Sequence, residues 1–320
     1  MPTGDVLPVL LTLFALVAAG QLLRVLRALP PGAPEVLVRV IVLVTMPALI
    51  VGILADARFE PALLPALVAT TTALLVALAL GVLLLRMLGG SRPAQGAAGI
   101  VASFSNTAFL GIPFIVTVLP GSRSAATTAV IIDTVDTTIL LLTLGAGFAS
   151  AMARTGPPAS TPVGPRIAAA ALGLLRQPMI VAVLVGLGLA LTGVALPPKI
   201  AGPLAQVGQT TPVLAFLTIG LALDLGSLRG QTVALAGIAI IKLCVAPGVA
   251  ALVLLALGVR GEVAQTAVLQ AAMPTAMVSV IIASNAGCDA RLATAAAVVT
   301  TVLALATLPL TVMALRALGL

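Results

Sequence analysis

Long apolar runs broken by short polar links make up almost the whole chain. A helix needs about 20 apolar residues to cross a bilayer. Ten stretches meet that length, roughly at 6–26, 35–54, 63–88, 94–119, 124–152, 174–195, 204–223, 231–258, 262–286 and 290–317. The longest polar link runs from Ala153 to Arg166, "ARTGPPASTPVGPR". Its Pro, Gly and Ser content reads as a linker between two halves. The chain therefore divides into a five-helix repeat at 1–153, a linker at 154–166 and a second five-helix repeat at 167–320. No basic segment precedes the first run, so it is expected as a retained helix and not a cleaved leader.

Composition turns this pattern into a class. Hydrophobic residues make up 61% of the 320, charged residues 8%, and the mean hydropathy is +1.26. A soluble domain carries about 25% charged residues. The expectation is an all-α integral membrane protein that crosses the bilayer ten times. Histidine, Trp and Tyr are absent. Without histidine, Ser–His–Asp and Cys–His catalysis are excluded, and the commonest metal ligand is missing. Cys244 and Cys288 are too few for a thiolate cluster. No cofactor or metal is expected, and no role is assigned to either cysteine.

The net charge of +7 is accounted for by loop arginines and implies no nucleic-acid partner. One side collects Arg58, Arg123, Lys199, Arg260 and Arg316, together with both termini. The other collects Arg24, Arg27, Arg39, Arg86, Arg92, Arg154, Arg166, Arg176, Arg229 and Arg291. The richer side is expected to be cytoplasmic. That places both termini outside a cell inner (plasma) membrane.

Landmarks recur between the halves. Pro8 matches Pro178, "LPP" at Leu29–Pro31 matches Leu196–Pro198, Pro47 matches Pro212, and Pro113 matches Pro274. The offsets of 170, 167, 165 and 161 decline in one direction, as small loop deletions would produce. Each half has an odd number of spans, so the halves insert with opposite orientation. Inverted repeats of this kind build secondary transporters, with the substrate at the midplane. The competing explanation is coincidence among 23 prolines.

Two spans look interrupted. Span 4 carries Asn106, Thr107, Gly111 and Pro113 near its middle; span 9 carries Gln270, Pro274, Thr275 and Ser279. Proline removes a donor and clashes with the preceding turn. Lipid does not tolerate a bared backbone, so such breaks line an enclosed cavity. If the breaks cross, two half-helix N-termini face one spot and suit a carboxylate. These eight residues are the substrate-binding candidates; simple proline kinks are the alternative.

Asp133 and Asp136 lie mid-span on one face of span 5, and Lys242 lies mid-span in span 8. A charge at the bilayer centre costs about 2.5–3.5 kcal/mol, so an Asp–Lys pairing is expected. These three are the coupling candidates, for a proton or a cation. A permanent structural ion pair is the alternative. Arg39 and Lys199 sit near span ends and are expected to snorkel.

The sequence resembles the auxin efflux carrier family, whose bacterial members are described as malate or malonate permeases. The resemblance rests on "NTAFLGIPF" at Asn106–Phe114, "MPAL" at Met46–Leu49 and "LPPKIAGPLAQVGQTTPVLAFLTIGLAL" at Leu196–Leu223. It continues through "KLCVAPGV" at Lys242–Val249 and the segment Met273–Leu310. It implies ten helices in two inverted five-helix repeats, similar to bile-acid symporters and sodium/proton antiporters. Spans 4 and 9 would cross at Pro113 and Pro274. The resemblance further implies a scaffold of spans 1, 2, 6 and 7, a mobile transport domain of spans 3–5 and 8–10, elevator-like movement and a homodimer. The family's crossover Asn maps onto Asn106 and its span-5 acid onto Asp133. The Tyr that often follows in span 9 is missing, with Asn285 nearby, and so is a long central loop.

The function expected is secondary transport of a small organic anion, with Asp133 as the proton carrier. A sodium-coupled symporter or a cation/proton antiporter of the same fold is the alternative. An aspartyl enzyme is disfavoured, because a dyad needs carboxylates from facing elements. A structural or receptor protein of the membrane is the third reading, and a rigid crossover with no accessible cavity would be its sign.

Overall fold

The computed structural model describes residues 6–30, 32–57, 59–153, 173, 175–222 and 232–320. The linker at 154–166, Pro31, Arg58, Arg154, Arg166 and Arg229 lie outside the described residues. Within them the elements are helical. In chain order they are α1 (Val6–Val25), α2 (Ala33–Ala55), α3 (Leu63–Met87), α4 (Arg92–Ser103), α5 (Thr107–Val118) and α6 (Arg123–Ala153). Then follow α7 (Pro178–Thr192), α8 (Pro198–Ala222), α9 (Thr232–Ala256), α10 (Glu262–Ala271), α11 (Met277–Ala286) and α12 (Ala290–Ala317). Six of these, α2, α3, α6, α8, α9 and α12, are long and apolar enough to cross a membrane. Shorter apolar helices accompany them in α1, α5, α7 and α11.

Side chains are distributed as lipid requires. Leu64, Leu252 and Leu310 point outward, while Asp133, Lys242 and Gln270 are buried. Helix ends follow the local chemistry. Ser91 accepts from the amide of Ala94 to cap α4, and Asp289 accepts from that of Leu292 to cap α12. Gly287, at φ 91°, closes α11 in the left-handed conformation that favours glycine.

Several helices widen into π-helical turns. Three of these, Ile41–Thr45, Thr107–Gly111 and Ile241–Val245, each end two residues before a proline: Pro47, Pro113 and Pro247. The cause is steric. A proline ring clashes with the carbonyl four residues earlier, and in each case that carbonyl lies inside the widened turn. The fourth, Asp133–Gly145, has no proline behind it. It carries both buried aspartates.

Two compact units emerge. The first comprises the described residues of Met1–Phe59, Ile112–Val130 and Leu172–Leu223. In it α1 and α8 touch backbone to backbone. A Cβ on Gly20 would collide with the carbonyl of Leu217, and one on Gly220 with that of Val17. Gly186 of α7 likewise lies against Leu54 of α2, and Gly208 of α8 against the backbone of Leu49. Small residues at helix contacts are the usual device in lipid, where apolar burial supplies no drive. The second unit comprises the described residues of Glu60–Gly111, Ile131–Ala171 and Asp224–Leu320. Its centre is rich in alanine. Gly81 of α3 packs on Ala98 and Ala102 of α4, with Ala66, Ala69, Ala73 and Ala77 buried along the same helix.

Candidate ion and substrate site at a crossing of two broken helices

Within the second unit, α4 stops at Ser103 and α10 at Ala271. The chain then runs extended through Phe104–Asn106 and through Pro274–Ala276, and these pieces pair antiparallel. The amide of Asn106 donates to the carbonyl of Pro274 at 2.7 Å, and that of Ala276 to Phe104 at 2.9 Å. Ser105 and Thr275 face each other across this bridge. In span 9 the cause is plain. Pro274 supplies no N–H and pushes Met273 away from helical geometry.

Span 4 breaks differently from the expectation. Its break lies at Phe104–Asn106, seven residues and more before Pro113, so Pro113 is not at the crossing. Pro113 acts on the turn that follows, which it widens at Thr107–Gly111. The pairing with span 9 satisfies the backbone of a break that has no proline of its own.

A helix that stops leaves carbonyls without partners. Here each break supplies a hydroxyl to the other helix. Thr275 Oγ1 donates to the carbonyl of Val101 in α4 at 2.7 Å. Ser105 Oγ donates to the carbonyl of Ala271 in α10 at 3.4 Å. Val101 precedes Ser105 by four residues, and Ala271 precedes Thr275 by four. The arrangement is thus locally two-fold. The amide of Thr275 donates to Thr300 Oγ1 of α12 at 3.2 Å, which fixes the second strand.

Lys242 breaks this symmetry. It sits in the widened turn of α9, fully buried. Its Nζ donates to Ser105 Oγ at 2.6 Å and to the carbonyl of Ala271 at 2.9 Å. Neither aspartate is within ion-pair reach, which corrects the expected Asp–Lys pairing. The carboxylates are served by hydroxyls instead. Thr107 Oγ1 donates to Asp133 Oδ1 at 2.6 Å, and Thr71 Oγ1 of α3 to Asp136 Oδ1 at 2.8 Å. Thr137 of α6 touches Thr107 Oγ1 and donates to the carbonyl of Ser105 at 3.2 Å.

Between these groups lies a cavity of about 20 Å³, measured as the volume open to the centre of a water molecule. That is room for about one water. Thr70, Ser103, Ser105, Thr107, Asp136, Thr137, Lys242 and Gln270 give it polar walls. An ion or a water fits here; an organic acid does not.

The remaining candidates take other places. Gln270 is fully buried, and a Cβ on Gly111 would collide with its Oε1. Gly111 thus leaves the space that Gln270 fills. Ser279 donates back to the carbonyl of Ala276 at 2.6 Å, inside the first turn of α11. Asn106 has its backbone engaged, while its side chain, about 9% exposed, makes no hydrogen bond among the described residues. Sequence reasoning missed Ser105, Thr71, Thr137 and Thr300. The signals were present: a "SFSN" run inside span 4 and "TTT" at Thr70–Thr72 inside span 3.

The long apolar helices with outward-facing leucines mark a polytopic membrane protein. The profile of a family described as membrane transport protein matches residues 5–159 and 166–312, nearly the whole chain. The chain belongs to that family, the auxin efflux carriers. No curated protein matches it.

Proposed function

We propose that the protein is a secondary transporter for a small organic anion, built as two inverted five-helix repeats. The observation that carries this reading is the antiparallel pairing of Phe104–Asn106 with Pro274–Ala276. The pairing brings the starts of α5 and α11 together, and helix starts favour negative charge. The free amide of Asn106 stands at the same crossing and would donate to a substrate carboxylate. Thr107, Gly111, Gln270, Pro274, Thr275 and Ser279 shape and hold this crossing. The reciprocal hydroxyl capping supports the inverted repeat.

Coupling is assigned to the small cavity, which Asp136 lines, and to Asp133, which is joined to it through the Thr107 hydroxyl. Asp133 accepts from Thr107, Asp136 accepts from Thr71 with Thr70 beside it, and both keep lone pairs for a proton or a small cation. Asp133 is the proton carrier in this reading, with Asp136 beside it. In this reading α1, α2, α7 and α8 serve as scaffold and α3–α6 with α9–α12 as the moving part, in an elevator-type cycle; Ile112–Val130, within α5 and α6, belongs to the first compact unit. The protein works as a homodimer in the cell inner membrane, with both termini outside. A sodium-coupled symporter or a cation/proton antiporter uses the same cavity. Sodium-dependent uptake would favour the first, and sodium/proton exchange without any acid the second.

The test is uptake of labelled mono- and dicarboxylates into proteoliposomes, with and without a pH gradient. Accumulation driven by the gradient is expected. Absence of transport for every acid, in both conditions, overturns the reading.

A further inference from the structure

Lys242 has a role that the transport reading leaves unassigned. The ammonium touches Ser105 Oγ and the carbonyl of Ala271, the last helical residue of α10. A helix C-terminus carries partial negative charge and favours a cation. On the two-fold-related side the orphan carbonyl of Val101 is satisfied by the Thr275 hydroxyl. A neutral donor suffices there. Lys242 is therefore not needed merely to fill a hydrogen bond on its own side, where Ser105 already reaches Ala271. What Lys242 adds over a hydroxyl, when protonated, is charge. The surrounding walls are rich in oxygen: Ser103, Ser105, Thr107, Asp136, Thr137 and Gln270 line the same cavity. Oxygen ligands at a negative helix end are what a small monovalent cation takes.

We propose that Lys242 is a tethered cation: its protonated amino group fills a monovalent-cation site formed at the end of α10 by Ala271 and Ser105. The wild-type protein then needs no sodium or potassium at this position. Removing the amine vacates the site and makes the protein dependent on a small free cation. This inference does not rest on the identity of the substrate, because its readout is stability of the purified protein.

Melting temperatures of wild type and Lys242→Ala are measured in sodium, potassium, ammonium and methylammonium chloride. Choline chloride at equal ionic strength is the control. Wild type is expected to be indifferent to the cation. Lys242→Ala is expected to melt lower in choline. It should recover with sodium or ammonium in a saturable way, by on the order of 3 °C at ten times the half-saturating concentration. Adding Ser105→Ala to that variant is expected to weaken the recovery at least tenfold in half-saturating concentration. A saturable sodium response of the wild type overturns the proposal, as does a folded Lys242→Ala that ignores all four cations. If Lys242→Ala does not fold in choline, purification in ammonium decides. Folding restored by ammonium but not by choline supports the proposal, and failure in every salt overturns it. The transport reading survives either failure, since uptake is measured separately.

Discussion

The side chains at the crossing divide into those that hold backbone and those that are free to work. Thr275, Ser279 and Thr300 spend their hydroxyls on carbonyls or amides. Thr107 is different, because its hydroxyl serves a carboxylate. Thr107→Val keeps the volume and removes the donor, leaving Asp133 with an unmet oxygen. Such a loss costs about 1–3 kcal/mol. The variant is expected to melt several degrees lower and to transport at least tenfold more slowly, while Thr107→Ser keeps both properties. Asp133→Asn is expected to retain folding but to make uptake indifferent to the pH gradient, as flux assays at two external pH values would show. A variant that still follows the gradient would remove Asp133 from coupling. The sequence made Asp133, Asp136 and Lys242 conspicuous, because charges are rare in apolar spans. It did not reveal their partners. The "TTT" run marks Thr71 as polar within an apolar span, but a hydroxyl in a membrane helix ordinarily bonds its own preceding turn, so the reach of Thr71 and Thr107 to another helix has no local signature.

Among the elements, prolines were legible and their effects were not. Pro274 lies at a true break, Pro113 and Pro247 sit behind widened turns, and Pro309 lies inside α12. The local sequence fixes only that a donor is missing; neighbouring backbone decides whether the helix stops, widens or continues. The second interruption became a crossing because Phe104 and Asn106 found partners in a distant strand, and such pairing has no local signature. Glycine contacts follow similar logic. Gly220→Ala in α8 would force a methyl into the carbonyl of Val17, a backbone atom that cannot turn aside. It is expected to lower the melting temperature by several degrees. Gly188→Ala in α7, with open space around it, is expected to leave the melting temperature unchanged or slightly raised. Equal melting of the two variants would refute the close α1–α8 approach.

For the whole molecule, the apolar pattern fixed the class, and the spacing of landmarks suggested the division into halves. Arginine counts suggested orientation. That orientation is checked with single cysteines in a background lacking Cys244 and Cys288. Leu318→Cys is expected to react with a membrane-impermeant thiol reagent from outside intact cells, and Leu88→Cys only after permeabilisation. The reverse pattern would invert the assigned topology. The reciprocal use of Ser105 and Thr275 also sets how the protein can loosen. Each strand carries a hydroxyl that reaches the other helix end, so the release of one loosens the hold on the other. The crossing should act as a latch with two tongues. In hydrogen–deuterium exchange the amides of Asn106 and Ala276 are expected to open at one common rate, and to quicken together when either hydroxyl is removed.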